Sequence, residues 1–466
     1  MAHVMTLTDL TTTFNLTSAS DCRLLEYEPE TPDISPQEAA SLIVDGGEIL
    51  DAHIANVTES GRFEILGTTV ADLQSNIRTV ELLFLQARER QRRKGGADRV
   101  YVTLQMNGEG GAWRSEILFG SLSLASNVFE EWGNLKAEVI LTWTRRFYWE
   151  GAEAYAQLWN TSGGGVSGTV VEIYNQNAGS NLNFAHVVGN SISGSLPAAC
   201  RIELTNASST TVGYNRIYIG QGIWIDSEDF DHMLQGEDNE VAGGTDTSNA
   251  TSSGGYYHAL TWTGATTYAS AVRYQFTISG AQLGYANGSY FRLLARMNAT
   301  PNTTTYVRVE VAYGPIVFYQ GQEMKLRGSG LEDFGVIQLP PSLSELPSYA
   351  LADLEINIYA RDTVSGSLSI DYIQLTPLDG WRELNIVGTS FPDGSIIYDD
   401  GILGISYTDD ATAGTFGNII TKGQPIHLWP NRDQRLYILF DEDNGGAPIA
   451  RQNDLQVIYR PRRLTL

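Results

Sequence analysis

The chain has 466 residues, and its 54 acidic side chains outnumber the 30 basic ones, which gives a formal net charge of -24. Because a strongly negative surface repels phosphate groups, this charge argues against a nucleic acid as the partner. The length exceeds what one hydrophobic core usually supports, so we expect three or four domains. The hydrophobic content of 42%, with 23 Tyr and 9 Trp, indicates packed β structure rather than disorder.

Neither the cysteines nor the first residues of the sequence indicate secretion. Cys22 and Cys200 are far apart and match neither a disulfide framework nor a zinc pattern, so we expect two buried free thiols. The sequence "MAHVMTLTDLTTTFNLTS" lacks the basic start and the apolar run of a signal peptide, and nowhere do about 18 apolar residues run together. We therefore expect a protein that is made in the cytoplasm and has no membrane-inserted segment.

Residues 1–150 are predicted to form an α+β domain of many strands and one amphipathic helix. The helix covers residues 71–94, because its apolar residues recur at three- and four-residue intervals. These residues are Leu73, Ile77, Val80, Phe84 and Ala87. Strands follow in "RVYVTLQMNG", "WRSEILFGSLSL" and "LKAEVILTWTRRFYWEG".

A basic run closes the predicted helix. It consists of Arg88, Arg90, Arg92, Arg93 and Lys94, and is followed by Gly95 and Gly96. Such a run could contact nucleic acid or an acidic neighbouring subunit. Cations also offset the exposed carbonyl dipole at a helix C-terminus, and glycine commonly follows the last turn. We favour helix termination as the explanation.

Beyond residue 151 apolar and polar residues alternate, which is typical of β-sandwich strands. In "YVRVEVAY", Val307, Val309 and Val311 face one way while Arg308 and Glu310 face the other. The stretches "LEINIYAR" and "RLYILF" repeat this pattern. We predict that residues 151–229 begin a β-sandwich, that 230–380 form an inserted jelly roll and that 381–466 form a C-terminal sandwich segment. Whether 381–466 completes the core begun at 151 stays open at this point.

The inserted segment resembles the carbohydrate-binding jelly rolls. The resemblance lies in the acidic "QGEDNE", the "SGG" turn, the strands "YYHALTWTG" and "YVRVEVAYG", and the closing "SLSIDYIQL". In that family a calcium ion commonly ties the first strand to the last, and the resemblance implies Gln235, Glu237 and Asp371 as its ligands. Calcium takes about six to eight oxygen ligands, so carboxylates from two distant strands suit it. The alternative is that Glu237 and Asp371 are ordinary solvated or edge-strand acids.

The same resemblance implies that the insert binds a saccharide. Aromatic faces stack on pyranose rings, and nearby amides bond the hydroxyl groups. The candidates are Tyr256, Tyr257, Trp262, Tyr285 and Asn287. Taken singly, an aromatic residue in a sandwich belongs to the core more often than to a ligand platform.

Catalytic motifs are missing from the sequence. It contains no Walker loop, HExxH, GxSxG or dinucleotide fingerprint, and its six histidines lack ligand spacing. Acidic groups such as Asp226, Glu228 and Asp229, or Asp399 and Asp400, lie in turn-like segments where solvated acids are common. We therefore expect no catalytic residues and no enzyme activity.

Both ends of the chain resemble virion proteins. Residues 1–150, with "VELLFLQARERQ" and "GNLKAEVILTWTRRFYWEG", look like the ring-forming domain of distal tail and baseplate proteins from long-tailed bacteriophages. The stretches "GQPIHLWPNRDQRLYILFDEDNG" and "DLQVIYRPRRLTL" are similar to terminal sandwich segments of phage tail proteins. In such families the N-terminal domain assembles into a ring, often a hexamer, that continues the tail tube. Outer sandwich modules of these families can grip host saccharide.

We therefore predict a mostly β, multidomain structural protein of the phage tail tip, assembled in the host cytoplasm and located in the virion. Its expected partners are copies of itself in a ring such as a hexamer, other tail proteins of the tube and hub, and a host-surface saccharide. Two other functions stay open. One is a carbohydrate-active protein, such as a glycoside hydrolase accessory or binding protein, although the missing secretion signal counts against it. The other is a purely architectural tail decoration without a ligand.

Overall fold

A computed structural model describes most of the chain. The described residues are 3–40, 47–93, 98–106, 111–125, 133–159, 168–174, 182–206, 214–223, 233–239, 243–263, 267–268, 272–280, 290–299, 301–326, 330–338, 353–378, 380–386, 394–409, 416–442 and 452–465. The chain divides into two compact units. Unit 1 comprises Met1–Glu153, Gly194–Leu196 and Arg460–Leu466, and unit 2 comprises Ala154–Ser193 and Pro197–Tyr459.

In its described residues, the first part of the chain contains ten strands and one helix. They are β1 (Val4–Thr8), β2 (Thr13–Asn15), β3 (Cys22–Glu26), β4 (Ile34–Ala40), β5 (Gly47–Ile54), β6 (Val57–Leu66), α1 (Val70–Arg92), β7 (Val100–Gln105), β8 (Trp113–Leu124), β9 (Lys136–Arg145) and β10 (Trp149–Glu150). Six strands follow among the described residues. They are β11 (Ala154–Tyr155), β12 (Leu158–Trp159), β13 (Val170–Tyr174), β14 (Phe184–Val187), β15 (Ala198–Asn206) and β16 (Tyr214–Ile223).

The middle of the chain contributes eleven strands. They are β17 (Met233–Gln235), β18 (Thr245–Ser248), β19 (Tyr256–Trp262), β20 (Arg273–Ile278), β21 (Tyr290–Met297), β22 (Tyr306–Tyr313), β23 (Ile316–Gln320), β24 (Met324–Lys325), β25 (Gly330–Gln338), β26 (Leu354–Arg361) and β27 (Gly366–Pro377). The last strands are β28 (Trp381–Ile386), β29 (Ile396–Asp400), β30 (Ile405–Asp409), β31 (Phe416–Gly423), β32 (His427–Leu428), β33 (Gln434–Glu442), β34 (Gln452–Tyr459) and β35 (Arg462–Arg463).

Unit 1 is an antiparallel sheet with one helix packed on it. The sheet order is β2-β1-β7-β8-β9-β6-β3, and β10 joins β8 to β35 at the end of the chain. Strands β4 and β5 form a separate hairpin. Residues at alternate positions of β6 and β9, such as Phe63 and Leu141, are buried and form the core together with one face of α1. This is the expected arrangement for a sheet that covers its apolar face with a helix.

Helix α1 follows the sequence pattern closely. The hydroxyl of Thr69 caps its N-terminus by accepting a hydrogen bond from the Asp72 backbone N–H, an interaction that contributes about 1 kcal/mol. The apolar face predicted from the sequence packs against the sheet. At its centre Gly120 of β8 lies under the Phe84 ring, where an added Cβ would be 2.2 Å from Cδ1. Lys94, Gly95 and Gly96 lie outside the described residues.

Unit 2 contains two sandwiches. In the first, here the split sandwich, strands from residues 154–223 pair directly with strands from residues 381–459. Strand β15 lies between β34 and β29, and β16 lies between β33 and β28. The 13-stranded sheet of the split sandwich encloses a core of its own.

The second sandwich, here the insert sandwich, covers residues 233–378 and has two sheets. One has the order β18-β19-β27-β21-β25 with β17 beside β27, and the other has the order β20-β26-β22-β23 with β24 beside β22. Side chains from both sheets meet in one buried core. A smaller apolar cluster joins the two sandwiches, with Tyr218 and Trp381 from the split sandwich and Leu294 and Tyr372 from the insert.

The predicted fold class is confirmed: the protein is mostly β, has antiparallel sandwich sheets and carries an amphipathic helix in its N-terminal part. Both cysteines are buried free thiols, and burial raises the pKa of Cys22 to about 12. No helix in the described ranges combines the length and apolar character that a bilayer span requires. The four domain limits drawn from the sequence stay predictions.

Candidate functional site

Two of the predicted metal ligands lie on a short segment that packs along the last strand of the insert sandwich. Gln235 ends β17 and lies opposite Tyr372 of β27. Glu237 follows within the short 3-10 helix Gly236–Asp238. Asp371 precedes Tyr372 on β27. The antiparallel pairing of a segment near residue 235 with one near 371 thus brings together residues that are distant in sequence.

All three predicted ligands lie beside one turn, Ser253–Gly255. The backbone N–H of Ser253 donates to Oδ1 of Asp371 at 2.8 Å. Gly254 has a positive φ of 66°, and a Cβ added there would lie 2.3 Å from Oε1 of Glu237 and 3.9 Å from Cδ of Gln235. The turn requires glycine at position 254 for two reasons: glycine permits the positive φ, and it leaves room for the side chains of Glu237 and Gln235.

Asp371 is bonded on both of its oxygens. Its Oδ2 accepts a hydrogen bond from Nη1 of Arg296 at 2.7 Å, in addition to the Ser253 bond on Oδ1. Nη1 of Arg296 also donates to the carbonyl oxygen of Thr251 at 2.9 Å. Asp371 is 0% exposed and Arg296 is 1% exposed, so this ion pair lies inside the sandwich. The pair fixes the loop that precedes β19 onto β21 and β27.

Burial controls the protonation of the two acids. Burial raises the pKa of Glu237 to about 7, and the charges of Asp238 and Asp246 raise it further. Burial also raises the pKa of Asp371 to about 7, against the opposing effect of Arg296. The charge of Glu237 adds to that increase, which places the two carboxyl groups within electrostatic reach of each other.

A hard cation suits part of this cluster. Oε2 of Glu237 and Oε1 of Gln235 are buried and have no hydrogen-bond partner in the part of the chain that the structure describes. Buried oxygens of this kind are usually satisfied by a donor, a water molecule or a metal ion. The described residues contain no group of three or more His, Cys, Asp or Glu side chains that could hold a metal ion. Gln235 and Glu237 therefore fit a calcium ion better than Asp371, whose carboxylate Arg296 already neutralises.

The predicted saccharide residues do not form one platform. Trp262 is only 7% exposed and lies in the core of the insert sandwich, so its ring is not available to a sugar. Tyr256 is 47% exposed at the start of β19, and the half-buried Tyr257 points to the other face because successive strand residues alternate. Tyr285 and Asn287 lie outside the described residues.

A different surface of the insert sandwich carries polar and aromatic side chains in register with one another. On the outer face of the sheet β20-β26-β22-β23, one row of side chains crosses four strands. This polar row consists of Gln275, Asn357, Glu310 and Gln320, in register with one another. The side chain of Gln320 donates to Oε1 of Glu310 at 2.6 Å. Asn357 is 2% exposed, and its Oδ1 has no hydrogen-bond partner among the described residues.

Tyrosines and arginines lie beside the polar row on the same face. Tyr359 lies opposite both Arg273 and Arg308 in the sheet, and the Arg273 guanidinium donates to its hydroxyl at 3.2 Å. The Arg308 guanidinium lies 4.4 Å from the centroid of the Tyr268 ring. The alternation of "YVRVEVAY" and "LEINIYAR" already placed Arg308 and Tyr359 on the outer face, and pairing of the two strands brings them together. Sequence analysis missed this surface because the register between β22 and β26 is not a local property.

The acidic groups considered for catalysis are structural where they are described. Oδ1 of Asp399 accepts hydrogen bonds from Arg382 and from the Ser406 hydroxyl, the latter at 2.6 Å. Oδ1 of Asp400 accepts a hydrogen bond from the backbone N–H of Leu403 at 2.7 Å. Both acids are buried, so the expectation that they are solvated turn residues is wrong. Asp226, Glu228 and Asp229 lie outside the described residues.

No family model and no curated protein matches the chain. Among solved structures it is similar to the crystal structure of the phage SPP1 Dit protein, described as a paradigm of the hub adsorption apparatus in Gram-positive infecting phages. That similarity has 9% identity, covers 99% of both chains and has a TM-score of 0.33. A chain of the phage P2 baseplate in its activated conformation with Ca is similar at 9% identity and a TM-score of 0.29, over 77% of this chain and 98% of that one. The structure of infectious bursal disease virus Gt strain has 8% identity and a TM-score of 0.15, over 67% of this chain and 80% of that one. At these TM-scores the similarities do not establish a common fold, and they leave the function of the chain to be argued from its own residues.

Proposed function

We propose that the protein is a structural subunit of a phage tail tip, of the distal tail or baseplate type, whose insert sandwich binds a host-surface saccharide. The observation that carries the proposal is the organisation of unit 1. Residues after 459 return to the helix-bearing sheet, where β35 pairs with β10. Nearly all of residues 154–459 are thus inserted between two parts of one small unit. This organisation suits an assembly domain that carries additional modules, as the resemblance of residues 1–150 to ring-forming domains implies.

The outer surface of α1 supports assembly with further copies. Leu82 and Leu85 are about half exposed on the helix, and they line a cavity of about 470 Å³ together with Asp9 and Thr12 of the β1–β2 connection. Adjacent exposed leucines at a cavity are typical of a surface that a partner covers. In the proposed ring, the partner is a neighbouring copy of the chain.

Assembly is tested by the mass of the full-length protein in solution and by electron microscopy of the purified particles. We expect a ring-sized oligomer that the change Leu85→Glu shifts toward the monomer. Val364→Glu in the insert sandwich is the matched control, because Val364 is 53% exposed and Leu85 is 52% exposed. A wild-type protein that stays monomeric at all concentrations contradicts the assembly half of the proposal.

For the saccharide we favour the polar row and its neighbouring tyrosines over the residues selected from the sequence. The exposed amide of Gln320 and the half-buried amide of Gln275 can bond hydroxyl groups, and tyrosine rings offer apolar faces to a pyranose. Binding of the full-length protein to a glycan array identifies the ligand. Tyr359→Ala should then weaken binding about three- to tenfold, whereas Tyr256→Ala leaves it unchanged. The reverse result supports the site at Tyr256, and an array without any bound glycan supports an architectural module without a ligand.

We also propose a structural calcium ion in the insert sandwich, bound through Gln235 and Glu237. Asp371 and the Ser253–Gly255 turn lie beside these two side chains. The ion would join β17 to the turn and so stabilise the entry of the chain into the sandwich. Calcium should raise the melting temperature and a chelator should lower it, and Glu237→Gln should abolish both effects. Glu355→Gln, which changes the same charge on the other sheet, should retain them; a wild-type protein indifferent to calcium contradicts the site.

A further inference from the structure

Five arginines gather at the end of the unit 1 sheet where the chain returns, here called the arginine cluster. They are Arg99, Arg114, Arg146, Arg460 and Arg462. Strand pairing assembles them from distant segments, since Glu150 of β10 lies opposite both Arg114 of β8 and Arg462 of β35. Such a concentration of positive charge is unusual in a chain whose net charge is -24.

Three glutamates neutralise only part of the arginine cluster. Arg462 Nη2 donates to Glu150 Oε1 at 2.8 Å, and Arg460 Nη2 donates to Glu153 Oε1 at 2.6 Å. Glu116 accepts a hydrogen bond from Arg146 Nε at 3.1 Å. Arg114 forms no ion pair within 4.0 Å among the described residues, although Glu150 lies opposite it in the sheet.

Aromatic rings fix two of the guanidinium groups in position. Arg114 lies 4.3 Å from the centroid of the Tyr101 ring, and Arg462 lies 4.1 Å from that of Tyr148. A guanidinium stacked on a ring keeps its N–H groups free to point outward along its edge. Stacking thus prepares these side chains for a ligand at a low cost in conformational entropy.

Hydrogen-bonding capacity remains unused at the centre of the arginine cluster. Nε of Arg114 and Nε of Arg460 are buried and have no hydrogen-bond partner among the described residues. Burial lowers the pKa of Arg114, and the nearby charge of Arg460 lowers it further despite Glu150 and Glu153. Within the described part of the chain, Arg114 therefore lacks the directly contacting carboxylate that buried guanidinium groups normally have, and Arg460 keeps its Nε unused beside its ion pair with Glu153.

We propose that Arg114 and Arg460 bind a carboxylate on an acidic segment of a second copy of this chain. The planar fork of a guanidinium matches a carboxylate with two parallel hydrogen bonds. The chain itself has the required excess of acid, 54 residues against 30 basic ones. Contacts of this kind would offset the repulsion between strongly negative copies. The identity of the partner rests on the assembly proposed above, whereas the carboxylate site does not.

The site is tested with the full-length protein and a hexaglutamate peptide at low salt, by titration calorimetry. We expect the wild type to bind hexaglutamate and not hexaglutamine. Arg114→Gln should weaken binding roughly tenfold or more, the usual effect of removing a charged hydrogen bond. Arg88→Gln, which removes the same charge from the exposed surface of α1, should leave binding unchanged. Equal binding by both variants, or no binding by the wild type, overturns the site.

The oligomeric mass tests whether a second copy supplies the carboxylate. Arg114→Gln and Arg460→Gln should both shift the wild-type oligomer toward the monomer, and Arg88→Gln should not. A folded Arg114→Gln protein that loses peptide binding but keeps the wild-type mass overturns the second copy as the partner. A monomeric wild type that binds hexaglutamate contradicts the proposed assembly and the second copy, while the carboxylate site stands.

Discussion

The buried ion pair of unit 1 permits a quantitative prediction. Glu59 and Arg145 are both fully buried, and Glu59 Oε1 accepts hydrogen bonds from Arg145 Nε at 2.9 Å and Nη2 at 2.6 Å. Glu59 Oε2 accepts hydrogen bonds from Trp143 Nε1 and the Tyr27 hydroxyl, each at 3.0 Å. Arg145 also donates to the carbonyl oxygen of Glu30 at 2.9 Å. All five hydrogen bonds join segments of unit 1 that are distant in sequence.

Glu59→Gln retains the shape of the side chain but leaves the Arg145 charge buried and unpaired. Breaking one partner of a buried, well-bonded pair costs about 3–5 kcal/mol. With a urea dependence of about 1–3 kcal/mol per molar, the unfolding midpoint of unit 1 should fall by more than about 1 M. Trp143, which donates to Glu59, supplies a fluorescence signal for that transition.

Two further variants complete the experiment. Glu89→Gln removes an exposed ion pair with Arg92 on α1 and should change the midpoint little, because surface pairs contribute little. Replacing Glu59 and Arg145 together by leucine and methionine should regain much of the lost stability, since no unpaired charge remains. A Glu59→Gln protein as stable as the Glu89→Gln control would refute the described burial and bonding of this pair.

Three further outcomes follow from the described contacts. Burial lowers the pKa of His186 to about 3, whereas in the unfolded chain the imidazole takes up a proton below about pH 6.5. The free energy of unfolding should therefore fall as the pH drops below about 6.5, by about 2 kcal/mol at pH 5. Urea unfolding at pH 7.5 and 5.0 checks this, and a His186→Asn protein with the same pH dependence would contradict it. Gly120→Ala should cost about 1–3 kcal/mol because its Cβ meets the Phe84 ring, whereas Gly111→Ala, in open space, should cost far less in the same unfolding assay. Cys22 should resist alkylation by iodoacetamide until the protein is denatured, because burial raises the pKa of its thiol to about 12; labelling of the native protein at that position would contradict its burial.

Local patterns in the sequence determined the elements of this protein. The three- and four-residue spacing of Leu73, Val80 and Phe84 predicts α1, and the structure has the helix at Val70–Arg92. Alternation in "YVRVEVAY" separates the core residue Val309 from the outward Arg308. These predictions succeed because the helical and strand periods depend only on neighbouring residues. The mostly β class with one amphipathic helix follows from the same patterns.

Tertiary structure alone decided which residues meet. An aromatic residue in a strand can pack in the core or contact a ligand. Trp262 packs in the core because it lies on the face of β19 that is turned toward the opposite sheet. No sequence pattern identifies Arg296 as the partner of Asp371, and only the pairing of β21 with β27 brings the two residues together. Arg114 and Arg460 become neighbours for the same reason, through pairings across hundreds of residues. Strand order and register depend on the packing of the whole core, so no local pattern specifies them.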